Sequence, residues 1–381
     1  MNSQGNKIYF EGLNALRFFA ALAVIITHIE LSKNSYGIQN CWASSKIVFN
    51  LGGLGVYFFF VLSGFLITYL LMIEKENTGT IDIKKFYMRR ILRIWPLYFL
   101  LVFIGFFILP MFETLHIPFL ETSFHNNFYF NLALFLVMLP NLAFALFPAV
   151  PHIGHLWSIG VEEQFYVAWP FIVKKSNNLI KTLLVLIVIL IIVKLIVLFL
   201  SASYPNLEWL KSFKKLVAMS KFECMAIGGI GAYLYHYKKN IISFVKKPIT
   251  SVVALFMTTI IVLFVPDNLQ DGQHLIISAL FLIIILNVVS AEVKWLTTQL
   301  FDFLGKISYG IYMYHFMVLP IVIVLLTKFI QPVGNLFLFN LLLYSFSILI
   351  TVVVAWLSYK FFELRFIKLK NKFTIIHSGK D

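Results

Sequence analysis

Charge is scarce in this 381-residue chain: 13% of its residues are Asp, Glu, Lys or Arg, and 60% are hydrophobic. Water-soluble domains carry roughly a quarter charged residues, so a soluble fold is excluded. Acid is scarcer than base, with 17 Asp plus Glu against 31 Lys plus Arg and a formal charge of +14. This excess does not point to nucleic acid, because the basic residues sit in short loops between apolar runs. Cysteine is nearly absent. Cys41 in a loop and Cys224 in an apolar run offer neither metal spacing nor a disulfide framework. The chain has no GxSxG elbow, no HExxH pair and no glycine-rich phosphate loop, which removes serine-hydrolase, zinc-protease and nucleotidase readings. His152 and His155 have ligand-like spacing but are read as outer-loop residues, and no metal is expected.

What the chain does have is a series of apolar runs, each long enough to cross a hydrocarbon core of roughly 30 Å as a helix. They fall at 13–31, 47–73, 94–112, 154–173, 182–200, 216–236, 248–265, 274–290, 307–328 and 335–359. The expected fold is all-α, a polytopic transmembrane bundle of about ten spans with both termini in the cytoplasm. It forms one membrane-embedded domain over 1–381, with a core of about 13–366 and a basic tail at 367–381. The polar stretch 1–12 leads into the first run without a small-residue cleavage pattern, so that run is read as retained. Segment 128–149 is apolar enough to cross but is interrupted by Asn131, Pro140, Asn141 and Pro148. Counting it as an eleventh span would move most of the basic loops outside, against the positive-inside bias. It is expected to lie in the outer interface or to dip back out. The chain shows no internal repeat and no inverted duplication of interrupted helices, which weighs against a secondary transporter.

Ionisable residues at membrane depth are functional candidates by default. Arg17 and His28 are eleven positions apart, which returns them to one helical face about 16 Å apart along the axis. A histidine at that depth is expected to be neutral and able to accept a proton. The run IDIKKFYMRRILRIWPLY puts Lys84, Lys85, Arg89, Arg90 and Arg93 ahead of the third span, and Arg90 and Arg93 share a face. Guanidinium forks suit phosphate, although a topology anchor on anionic lipid explains the same residues. In HLWSIGVEEQFYVAWPF, Ser158, Glu162 and Tyr166 recur every four residues beside Glu163, so a polar arc enters the membrane. Two adjacent carboxylates there imply a hydrated cavity, a cationic partner or proton handling. His315 in SYGIYMYHF, and Tyr359, Glu363 and Arg365 in SYKFFELRF, are read as structural.

Several ordered motifs together resemble the bacterial acyltransferase-3 membrane proteins, over about Leu13 to Phe366. They are LNALRFFAALAVIITH with Arg17 and His28, GVYFFFVLSGFLIT, FYMRRILRIWPLY with Arg90 and Arg93, LWSIGVEEQFY, and SYGIYMYHF. One departure is Asn14, where many members have aspartate, so a role that needs a carboxylate there is not carried over. The resemblance implies transfer of an acyl group, most often acetyl, from cytoplasmic acyl-CoA to a hydroxyl of a cell-surface or lipid-linked glycan in the bacterial inner membrane. Some relatives carry an extra SGNH-type domain. This chain ends soon after its last span, so it is expected to transfer directly or to hand the group to a separate protein.

On that reading Arg17, Arg90 and Arg93 hold the coenzyme phosphates and His28 takes the proton of the acceptor hydroxyl. Glu162 or Glu163 orients the histidine or binds the sugar, and Trp157, Ser158 and Tyr166 contact the acceptor. A flippase or exporter of lipid-linked glycan would use the same groups without acyl chemistry, and a scaffold protein would tolerate loss of His28.

Overall fold

The structure is a computed structural model describing residues 8–40, 45–264, 270–291, 293–332 and 334–376. Lys7, Cys41, Lys380 and the last residue of the 248–265 run lie outside the described residues. The chain is helical almost throughout. In order, the helices are α1 (Leu13–Ser35), α2 (Lys46–Thr78), α3 (Ile83–Phe103), α4 (Pro118–Asn126), α5 (Phe128–Leu136), α6 (Pro140–Leu146), α7 (Trp157–Lys175), α8 (Leu179–Ser203), α9 (Glu208–Met219), α10 (Phe222–Tyr237), α11 (Lys239–Val245), α12 (Pro248–Phe264), α13 (Gln270–Ala291), α14 (Gln299–Lys306), α15 (Ser308–Phe329), α16 (Leu336–Ser358) and α17 (Leu364–Lys370).

Among the described residues, seven helical stretches are long and apolar enough to cross a membrane: α1, α2, α3 extended to Met111, α8, α13 from Gly272, α15, and α16 extended through α17 to Phe373. The pair α11 and α12, bent by 72°, makes an eighth if counted as one span. The other two sequence-read runs fall on α7, whose 19 residues include Glu162, Glu163, Lys174 and Lys175, and on α10, with 16 residues. At 1.5 Å per residue α10 is only about 24 Å long, short of a full hydrocarbon core. The run 216–236 is not continuous, because the chain breaks at Ser220 and Lys221 between α9 and α10. Lys211, Lys214 and Lys215 on α9 explain the break, since they belong at an interface rather than inside a span.

Segment 128–149 divides into α5 and α6, of 9 and 7 residues, around Met138 with its left-handed φ of 61°. Neither helix is long enough to cross, as the interrupting Asn and Pro residues predict.

Apolar residues point both inward and outward, as the bilayer requires. On α8 Val188, Ile189, Ile192, Leu195, Ile196 and Phe199 are all exposed, forming a lipid-facing surface. By contrast α15 is mostly buried and serves as a central post. In lipid, helices associate through close packing of small residues. A Cβ added at Gly64 of α2 would stand 1.9 Å from the Met225 carbonyl oxygen, and one at Gly228 of α10 would stand 2.0 Å from that of Val61. These two glycines let the α2 and α10 backbones touch. Helices α1 and α7 also pack on α2, while α15 packs on α1 and α3, and these helices carry the polar residues.

Candidate active site

Two groups of polar side chains face each other along α1, α7 and α15. At one pole stand Arg17 of α1, Arg90 and Arg93 of α3, and Lys370 at the end of α17, all within mutual electrostatic reach. Arg17 Nη1 donates to Asn14 Oδ1 at 2.9 Å, and Asn14 Nδ2 donates to Asp302 Oδ1 at 2.8 Å. Since a guanidinium only donates, the amide orientation of Asn14 is fixed. Asp302 also receives Tyr9 Oη and pairs with Lys306. Among the described residues Arg17 therefore makes no direct ion pair. Arg90 is flanked by the rings of Phe86 and Tyr166, its guanidinium carbon 5.9 and 5.7 Å from their centroids, and its buried Nε has no hydrogen-bond partner. Lys370 arrives because α17 lies against α3 and Arg89 Nη1 donates to the Phe373 carbonyl at 2.9 Å. Arg89 itself is paired with Glu74 at 3.0 Å, so it acts as a latch for the C-terminal segment and not as a free cation. Lys84 and Lys85 are exposed, with Lys85 on Asp82.

Cations held this close repel one another unless an anion joins them. Glu162 lies near Arg90 and Arg93 and accepts from Ser63 Oγ of α2 in a short hydrogen bond, while Tyr166 Oη donates to Ser63 Oγ at 3.3 Å. Trp95 Nε1 donates to Glu163 Oε2 at 3.0 Å, leaving Glu163 Oε1 buried without a partner. Glu363 sits in a π-helical turn at the end of α16 and accepts from Ser358 Oγ at 3.0 Å.

At the other pole three histidines meet. His28 of α1 is half-buried, whereas His315 of α15 and His155, just ahead of α7, are buried. His28 Nδ1 lies 2.7 Å from His315 Nε2, and the His155 and His315 ring centroids are 4.9 Å apart. His155 Nε2 donates to the Met313 carbonyl at 3.0 Å, so its buried Nδ1 is bare, and that atom has no hydrogen-bond partner. The three do not form a metal site: among the described residues no set of three His, Cys, Asp or Glu is placed to hold an ion. Ser158 Oγ and Tyr312 Oη share a 2.6 Å hydrogen bond beside His155, and half-buried Trp157 packs edge-on to Phe60. Tyr309, Tyr312 and His315 along α15, and Glu162, Ser158 and His155 along α7, join the two poles into one polar line.

The geometry brings together most of the sequence-read candidates but arranges them differently. Neither Glu162 nor Glu163 hydrogen-bonds to His28; both belong to the arginine pole, and the partner of His28 is His315. His155, read as an outer-loop residue, is at the site. Its neighbour His152 is not, but is held at a left-handed φ of 60° with Nε2 donating to the Leu115 carbonyl at 3.0 Å. Burial pushes the His152 imidazole down to about 4, so this loop histidine is neutral. His155 and His315 stood out in the sequence but their role did not, and Lys370 gave no signal, because each reaches the site through a partner more than a hundred residues away.

No solved structure matches the chain. The acyltransferase-3 family model, described as "Acyltransferase domain", matches residues 10–360. Among curated proteins, "Putative O-acetyltransferase SACOL0978" of Staphylococcus aureus (strain COL) is 30% identical over 372 residues, covering 94% of this chain and 58% of that protein. "O-acetyltransferase OatA" of Staphylococcus aureus (strain NCTC 8325 / PS 47) is 28% identical over 376 residues, covering 93% of this chain and 57% of that protein. The chain thus spans a little over half the length of the curated relatives it matches. With the family's motifs at the two poles of one polar line and its model matching nearly the whole length, this multi-pass membrane chain belongs to the acyltransferase-3 family.

Proposed function

We propose that the protein is a bacterial inner-membrane O-acyltransferase that moves an acyl group, acetyl in the simplest case, from cytoplasmic acyl-CoA to a hydroxyl of a cell-surface or lipid-linked glycan. The observation that carries this reading is one face of α1 bearing Arg17, which stands in the cation cluster bonded to the neutral Asn14 amide, and a half-buried imidazole at His28, about 16 Å along the axis. Phosphates suit guanidinium forks, so Arg17, Arg90 and Arg93, with Lys370, hold the nucleotide end of the donor. Its extended pantetheine arm follows the polar line toward His28. The names of the relatives, as O-acetyltransferases, favour acetyl and a hydroxyl acceptor.

At the histidine pole, the acceptor oxygen attacks the thioester carbonyl while His28 Nε2 takes the hydroxyl proton. A C–O bond forms, the C–S bond breaks, and the proton passes from His28 to the leaving thiolate. Glu162, Ser63 and Tyr166 line the path and hold the arginines in place, and Glu163 on Trp95 borders it. Trp157 and Ser158 sit where the acceptor approaches.

Transfer of label from acetyl-labelled acetyl-CoA to native envelope glycan by purified protein tests the reading. His28→Ala should lose a factor of about 10² to 10⁴ in kcat while still binding acetyl-CoA. Wild-type turnover by a folded His28→Ala protein removes the base assignment, and glycan translocation that persists without acyl-CoA supports a flippase instead.

A further inference from the structure

A base needs a bare nitrogen turned toward its proton, and the hydrogen bonds around His28 determine which nitrogen that is. A backbone carbonyl can only accept, so any ring nitrogen bonded to one must carry the hydrogen. His315 Nδ1 lies 2.5 Å from the Tyr312 carbonyl oxygen and is therefore the N–H of that ring. In a neutral imidazole this leaves His315 Nε2 as an acceptor. That atom faces His28 Nδ1 at 2.7 Å, so His28 carries its hydrogen on Nδ1. The two rings are coplanar within 2° with centroids 5.0 Å apart, which places the hydrogen bond in the plane of both rings. Only Nε2 of His28 is then left bare.

From this geometry we infer that His315 is the positioning residue that makes His28 a base, by holding the His28 hydrogen on Nδ1 and so leaving Nε2 free for the acceptor hydroxyl. The inference rests on the assignment of His28 under Proposed function and adds to it the group that selects the tautomer. In serine-protease chemistry a buried carboxylate does the equivalent work. Here a neutral ring replaces it. A carboxylate at this depth would need its own cation, and His315 is completely buried, with His155, Tyr312 and Phe316 around it. The chain from the Tyr312 carbonyl through His315 to His28 is satisfied at every atom without a charge. During transfer the hydroxyl proton enters and leaves at His28 Nε2, and His315 keeps its own hydrogen throughout. The transient imidazolium donates more strongly from Nδ1 to His315, which stabilises it in the step where the thioester is attacked.

The test compares His28→Ala, His315→Leu and His315→Gln in purified, fold-matched protein. His315→Leu removes the acceptor and should lower kcat about 100-fold with an unchanged KM for acetyl-CoA. The side-chain oxygen of His315→Gln can accept from His28 Nδ1 and should restore most of the rate. Ring-15N histidine spectra, with the His28 signals assigned by their loss in His28→Ala, should report hydrogen on Nδ1 in wild type and in His315→Gln, and on Nε2 in His315→Leu. A full rate in His315→Leu beside an inactive His28→Ala overturns the positioning role alone. An active His28→Ala overturns the base itself. If His315→Leu does not fold, a wild-type spectrum with hydrogen on His28 Nε2 still overturns the inference.

Discussion

At the scale of single residues, the arginine pole is defined by what its cations lack. Arg17 is bonded to a neutral amide, Arg90 Nε has no partner, and Arg93 is exposed beside both. Replacing Arg90 or Arg93 by Ala should weaken acyl-CoA binding in detergent by about 1.5 to 3 kcal/mol each, the worth of a charge-assisted contact, with normal expression. Lys84→Ala should change little, since that side chain is exposed. Titration calorimetry with acetyl-CoA measures all three. Equal affinity in both arginine variants returns the patch to its reading as a topology anchor. The sequence made Arg17, Arg90, Arg93 and His28 visible because their spacing repeats on a helix. It could not show the Asn14 to Asp302 hydrogen bond, nor the His315 contact, because each pairs residues nearly three hundred positions apart.

Among the elements, the apolar runs were legible because hydropathy is local, but among the described residues seven helical stretches, or eight with the bent pair, are long and apolar enough to cross, and the run 216–236 is split between α9 and α10. The break at Ser220 and Lys221 was not, because the apolar residues on either side of it read as one run, and the interfacial lysines of α9 that explain it stand ahead of that run. A similar case closes α1. Lys33, just beyond the 13–31 run, is completely buried and lies 3.0 Å from Glu30, which also accepts from Tyr344 Oη of α16 at 2.7 Å. The pair ties the end of α1 to α16 beside the histidine pole. Lys33→Met leaves Glu30 as an uncompensated buried charge and should cost about 3 to 5 kcal/mol. The double replacement Glu30→Gln, Lys33→Met should recover most of that, because it removes both charges together. Thermal unfolding in detergent measures the difference. A single variant as stable as wild type would mean that the carboxylate reaches water.

For the whole molecule, the remaining question is which pole faces which side of the membrane. The contacts settle the relative arrangement. Arg17 near the start of α1, Arg90 and Arg93 in the first half of α3, and Lys370 at the end of α17 share one pole, and Arg89 is bonded to the Phe373 carbonyl. The starts of α1 and α3 and the C-terminal segment therefore lie on one side. The helical stretch from Ile83 to Met111 has 29 residues, about 43 Å, which is enough to carry the chain across. Position 122, on α4 beyond it, is then expected on the opposite side. By the positive-inside bias, the concentration of Lys and Arg at the arginine pole predicts that this side is cytoplasmic. In a background with Cys41 replaced and Cys224 buried, Lys372→Cys should react with an impermeant thiol reagent only after the cytoplasmic face is opened, and Thr122→Cys should react in intact cells. Labelling of Thr122→Cys only from the cytoplasmic face would invert the protein. The arginines would then face away from the cytoplasmic pool of acyl-CoA, and the donor assignment would fall with the topology.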